Sequence, residues 1–126
     1  MRILSTRIHG ALDYVIGAVL VLAPWLFGFA VGGPVQWVPI LIGVGVIVYS
    51  TLTAYEMGFM PVISMPVHLM LDVAAGVVLA LSPWLFGFAQ IIVWPHLLVG
   101  LLAIGGGLMT ETQPAVVGPT TTRAGD

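Results

Sequence analysis

A stretch of 22 residues occurs twice in this chain, 59 positions apart. Residues 9–30 align without gaps to residues 68–89, fourteen positions are identical, and the run Pro-Trp-Leu-Phe-Gly-Phe-Ala is unbroken in both. After a connection two residues shorter in the second copy, Trp37 matches Trp94 and Gly43 matches Gly100. Agreement of this length is a duplication, so whatever fold suits the first copy must also suit the second.

Each copy contains two apolar stretches, roughly 9–30 and 35–56 in the first and roughly 66–88 and 92–110 in the second. A bilayer core is crossed by about 20 helical residues, so each stretch is long enough for one crossing. Strands of a membrane barrel would alternate apolar and polar residues, and these stretches do not, which leaves helices. The breaks carry turn chemistry: Gly32, Gly33 and Pro34, then Gly58, Pro61 and Pro66, then Pro95. Composition agrees, because 60% hydrophobic and 6% charged residues could not cover the surface of a soluble domain of 126 residues. The expected fold is all-α, a single membrane domain of four transmembrane helices. It would be built from two tandem helix-pair repeats, about 9–56 and 66–111, related by a pseudo-two-fold axis along the membrane normal. Residues 112–126, rich in Thr, Pro and Gly, read as a flexible tail.

The start of the chain imitates a secretory signal, with Arg2 and Arg7 before an apolar run and small residues at Gly28 and Ala30. The same segment recurs deep inside the chain, so it reads as structure. Arg2 and Arg7 precede the first span, Arg123 follows the fourth, and the two outer connections carry no charge. The positive-inside rule then places both termini and the middle connection in the cytoplasm. A net charge of −2 and the absence of Lys exclude a basic nucleic-acid footprint. The absence of Cys excludes disulfides, thiolate nucleophiles and Cys-ligated clusters.

Ala23-Pro24-Trp25 and Ser82-Pro83-Trp84 each lie late in the first helix of a pair. Together they resemble the signature of the SPW-repeat family of small, mostly bacterial membrane proteins. The resemblance covers about residues 9–111, with Ala23 standing where the motif has Ser. It implies the fold and a location in the bacterial inner membrane, and it carries no activity.

A proline inside a helix removes one backbone hydrogen bond. Pro24 and Pro83 therefore predict either a kink or a fresh helical turn, the latter with Ser82 as its N-cap. Trp25, Trp37, Trp84 and Trp94 all fall towards the outer face, as an interfacial aromatic belt would. On the cytoplasmic side, His9 and Asp13 are four apart, as are His68 and Asp72, so each pair shares one helix face. Gly17 and Gly76 lie four residues further on and permit close helix contact. With Glu56 ending the second helix and Glu111 the fourth, six polar groups are expected in one layer.

That layer reads first as structural, with His9 and Asp13 as a local pair. Intramembrane carboxylates can also carry ions or protons, and a bundle can hold a metal pair or a haem between His9 and His68. The spacing is not the Glu-x-x-His of di-iron bundles, and no metal or cofactor is assigned. His96, with Pro39 opposite it in the first copy, reads as an isolated interfacial imidazole. Phosphate-binding loops, nucleophile elbows and zinc spacings do not occur. The expected function is non-enzymatic: a structural or interaction role as an accessory subunit of a membrane complex or as a homo-oligomer, partnered by the bilayer and by other membrane subunits or itself, since no soluble part exists to bind or transform a substrate. The alternatives are a small proton- or ion-coupled transporter and a metal- or haem-binding redox subunit.

Overall fold

The computed structural model describes residues 2–114, so the expected tail falls largely outside the described residues. Four helices follow one another: α1 (Thr6–Leu26), α2 (Gly33–Thr51), α3 (Met65–Leu85) and α4 (Trp94–Met109). No β-strand forms among the described residues, where two isolated bridges occur. α1, α2 and α3 are long and apolar enough to cross a membrane. α4 has 16 residues, which at 1.5 Å per residue is about 24 Å, short of a hydrocarbon core of about 30 Å. Large apolar side chains cover the outside of every helix, among them Val15, Leu41, Met70 and Leu101. That surface is stable against lipid and costly against water.

Local sequence explains the helix ends. Ser5 and Ser64, 59 residues apart, occupy equivalent N-caps, each hydroxyl accepting from a backbone N–H three residues on. The shared Pro-Trp-Leu-Phe-Gly-Phe run is a helix stop. Gly28 and Gly87 adopt φ of 75° and 72°, the left-handed conformation that glycine takes just beyond a helix end. Phe29 N–H then donates to the Pro24 carbonyl and Phe88 N–H to the Pro83 carbonyl, both at 2.8 Å, closing a Schellman turn. This is why α1 ends at Leu26, short of Ala30.

Pro24 and Pro83 lie inside α1 and α3, which run through them. Ser82 therefore does not start a new turn as an N-cap. Its hydroxyl donates to the Leu79 carbonyl at 2.6 Å, the group that the missing Pro83 N–H leaves without its helical partner. Ala23 has no such donor.

α1 packs closely on α2 and α3 on α4, while α2 against α3 joins the two pairs. In each pair two backbones meet at glycine. A Cβ on Gly43 would lie 2.6 Å from the Gly17 carbonyl oxygen, and one on Gly100 would lie 2.6 Å from that of Gly76. Small residues allow this approach between membrane helices.

The pairs are also tied crosswise at one end of the bundle. Ile3 and Leu4 N–H donate to the Met109 carbonyl, and Glu111 N–H to Leu4. In the connection after α2 the same pattern recurs: Val62 and Ile63 N–H donate to the Leu52 carbonyl, and Ala54 N–H to Ile63. Each copy's entry segment is thus paired with the other copy's exit. Leu52 is committed to this pairing, so α2 stops at Thr51 and does not reach Glu56.

The opposite end is closed by apolar packing of Ala23, Phe29, Val35 and Phe88. His96 sits within it, 1% exposed, with ring centroids 5.0 Å from Phe29 and 4.8 Å from Phe88. Its Nε2–H donates to the Val35 carbonyl at 2.9 Å. The expected isolated interfacial imidazole is therefore a buried link from α4 to the start of α2.

Candidate functional site

The His-x-x-x-Asp pairs come together. His9 and Asp13 lie in the first turns of α1, His68 and Asp72 in those of α3, and all four side chains are buried. Each imidazole faces both carboxylates. His9 Nε2 is 2.6 Å from Asp72 Oδ2 and 3.0 Å from Asp13 Oδ2. His68 Nε2 is 2.8 Å from Asp13 Oδ2 and 3.2 Å from Asp72 Oδ2. The shorter contact is in both cases the one to the other copy. The i,i+4 spacing predicts local pairs; the stronger pairing is between copies, because the entry segments exchange partners and bring α1 and α3 face to face at this level.

The outer nitrogens are fixed as well. Thr53 Oγ1 lies 2.8 Å from His68 Nδ1 and donates its own proton to the Tyr49 carbonyl at 2.6 Å. Thr110 Oγ1 lies 2.7 Å from His9 Nδ1 and donates to the Gly106 carbonyl at 2.6 Å. A hydroxyl has one proton, already given to a carbonyl, so each Nδ1 must be the donor to the threonine oxygen. Both Nε2 atoms therefore point at the carboxylates. Two carboxylates and two neutral imidazoles meet lone pair to lone pair, so the group needs two positive charges at its centre.

The surroundings of the two imidazoles differ. Tyr49 donates its hydroxyl to Asp72 Oδ1 and stacks edge-on to His68, 5.0 Å between centroids. Tyr55 covers the same ring at 5.4 Å, and burial pushes its hydroxyl well above the usual tyrosine range, so it stays neutral. His68 is fully enclosed. In the second copy Gly106 occupies the place of Tyr49. It leaves the edge of His9 facing an apolar cavity of about 400 Å³, which Asp13 also lines.

Glu56 and Glu111 do not belong to this layer. Both carboxylate oxygens of Glu56 accept from Thr6 Oγ1, at 2.8 and 2.7 Å, and Glu111 is exposed beyond the end of α4. The cause is the early end of α2 and α4, which leaves both glutamates in irregular chain. A haem does not fit between His9 and His68 either: their centroids are 5.5 Å apart and the two carboxylates occupy the space between them. Trp25, Trp37, Trp84 and Trp94 are half or more exposed at the opposite end, where Phe27 meets Trp94 edge-on at 5.2 Å.

Tyr49, Thr53 and Thr110 complete the site and carry no motif. Thr53 and Thr110 fall in register once Trp37 is aligned to Trp94, and that alignment was their detectable signal. Arg2, which donates to the Gly107 and Thr110 carbonyls at 3.1 and 2.7 Å, closes the end of α4 behind His9.

No curated protein and no solved structure matches the chain. The SPW repeat domain matches residues 7–110, from the start of α1 to the threonine behind His9. With both helix pairs inside that match, the chain belongs to the SPW repeat family of membrane proteins.

Proposed function

We propose that this protein is a non-enzymatic, multi-pass subunit of the bacterial inner membrane that associates sideways with another membrane helix, from a second copy or from a larger complex. In this reading all four helices cross, both termini and the 52–64 connection face the cytoplasm, and the two copies are related by a pseudo-two-fold axis along the membrane normal. The exchanged entry segments and the crossed His–Asp contacts support the axis. The three Arg residues of the chain flank the spans on one side and support the orientation.

The observation that carries the reading is the cavity of about 400 Å³ among the helices. α1 and α4 line much of it but touch each other only marginally. Its rim residues Leu12, Leu101 and Leu102 are about half exposed, so it opens sideways into lipid. Small residues at Ala103, Gly105 and Gly106 make the α4 wall shallow, as helix–helix contacts in membranes require. A transport route, by contrast, would have to pass the packed Phe29, Phe88 and His96 layer.

The chain has no Cys, so single cysteines can be placed without background. Leu101→Cys should form cross-links in native membranes and Leu81→Cys, exposed on α3 away from the cavity, should not. A monodisperse monomer that co-purifies with nothing and cross-links at neither position would overturn the reading.

A further inference from the structure

We infer that His9, Asp13, His68 and Asp72 bind one divalent first-row transition-metal ion, with zinc as the reference ion. The ligand atoms would be the two Nε2 and one oxygen from each carboxylate. One ligand atom from each of the four residues already lies within 4.8 Å of the other three. The inference does not depend on the association reading, since the site lies inside one chain.

Three features build the site. Chemically, two imidazoles and two carboxylates form an N2O2 set suited to zinc, cobalt or manganese; the absence of thiolate disfavours soft ions, and the few oxygens disfavour calcium. Electrostatically, two aspartates carry two negative charges in a buried layer, and one dication neutralises them as two protons would. Binding therefore exchanges two protons for one ion and leaves the buried charge unchanged. Structurally, Thr53 and Thr110 hold both Nδ1 protons outward, which presents both Nε2 lone pairs inward. Tyr49 holds the far oxygen of Asp72. Outer contacts of this kind orient ligands in metal sites.

The fit in size is close. Metal–ligand bonds of about 2.0–2.1 Å in a tetrahedron put ligand atoms about 3.4 Å apart. The His–Asp separations here are 2.6–3.2 Å, so each ligand must withdraw by a few tenths of an ångström. Room exists on one side only. His68 is enclosed by Tyr49 and Tyr55, whereas Gly106 leaves space beside His9: a Cβ there would lie 3.5 Å from His9 Cε1. The side chains that give way to the ion are therefore those on the cavity side, His9 and Asp13.

The test uses the full chain, purified in detergent with a tag free of histidine, stripped with a chelator and titrated with zinc and, separately, cobalt. We expect one ion per chain, a cobalt spectrum of tetrahedral intensity and a raised Tm. Asp13→Asn, on the cavity side, should abolish stoichiometric binding. Thr110→Val, which touches no ion, should weaken affinity about 10–100-fold. Folded wild-type protein that takes up neither ion at micromolar concentration would overturn the inference. So would equal binding by wild type and a folded Asp13→Asn variant, which would place the ion elsewhere.

Discussion

The two copies share one skeleton, yet they treat their imidazoles differently. His68 is sealed by Tyr49 and Tyr55, while His9 looks past Gly106 into a cavity. Everything that makes the clasp is kept on both sides: the crossed His–Asp contacts, the threonine behind each Nδ1, and the paired glycines. What has diverged at the centre is the cover over the ring, and with it the Tyr49 hydroxyl on Asp72. Duplication therefore preserved what holds the copies together and released what controls access to the centre. The sealed half encloses its ring on all sides, and the open half is where a ligand or partner can act.

The largest expected effect breaks the clasp on its sealed side. His68→Ala removes a fully buried ring and leaves Asp13 and Asp72 facing one imidazole. Stranding buried charge in this way costs about 3–5 kcal/mol. His9→Ala opens onto the cavity, which leaves the stranded carboxylates room to turn apart, so its loss should be smaller. Thermal unfolding in detergent, followed by circular dichroism, ranks the two. Equal losses would mean that the cover over His68 has no energetic consequence.

Next comes the cover itself. Tyr49→Phe removes the hydroxyl donated to Asp72 but keeps the ring over His68. A hydrogen bond to a charged group contributes about 1.5–3 kcal/mol, and the Tm should fall accordingly. Gly106→Tyr is the converse, placing in the second copy what the first has at Tyr49. It should close the cavity and slow exchange at His9. Unchanged cross-linking at Leu101→Cys in that background would show that the cavity is not where a partner sits.

The fold was largely legible because the repeat required one solution twice, and turn residues marked the breaks. The centre was legible only in part. Spacing showed that His9 and Asp13 share a face, but a four-residue interval always reads as a local pair. Pairing between copies depends on the entry segments crossing over, which no interval within one helix reveals. Glu56 and Glu111 were misplaced for the same reason: apolar composition continues past Thr51, and only the Leu52 carbonyl, bonded to Val62 and Ile63, ends α2 there. His96 reads as interfacial because it lacks a counterpart, yet a singular residue can equally be a link between two equivalent Phe rings.

The glycines test whether both pairs pack alike. A Cβ on Gly100 would meet Ala80 N at 2.5 Å and the Gly76 oxygen at 2.6 Å, both backbone atoms that cannot turn aside. Gly100→Ala should separate α3 from α4 at a cost of about 1–3 kcal/mol. Gly43→Ala should cost a similar amount, since it meets the Gly17 oxygen at 2.6 Å. Gly105→Ala meets nothing within 4 Å and should be neutral. The measurement is again the Tm of each variant, and a difference between Gly43→Ala and Gly100→Ala would show that one pair yields more readily than the other.

The smallest effect concerns the motif serine, where the two copies differ by a single oxygen. Pro83 deprives the Leu79 carbonyl of its helical donor, and the Ser82 hydroxyl replaces it at 2.6 Å. Pro24 does the same to the Leu20 carbonyl, and Ala23 replaces nothing. Ser82→Ala makes the second copy like the first and should cost about 1 kcal/mol, the value of one neutral hydrogen bond. Ala23→Ser should return a similar amount if its hydroxyl reaches Leu20, and the complete burial of Ser82 shows that the equivalent site accommodates one. A Tm unchanged by both substitutions would mean that the proline-orphaned carbonyl costs nothing here. The serine of the motif would then owe its place to something other than the proline beside it.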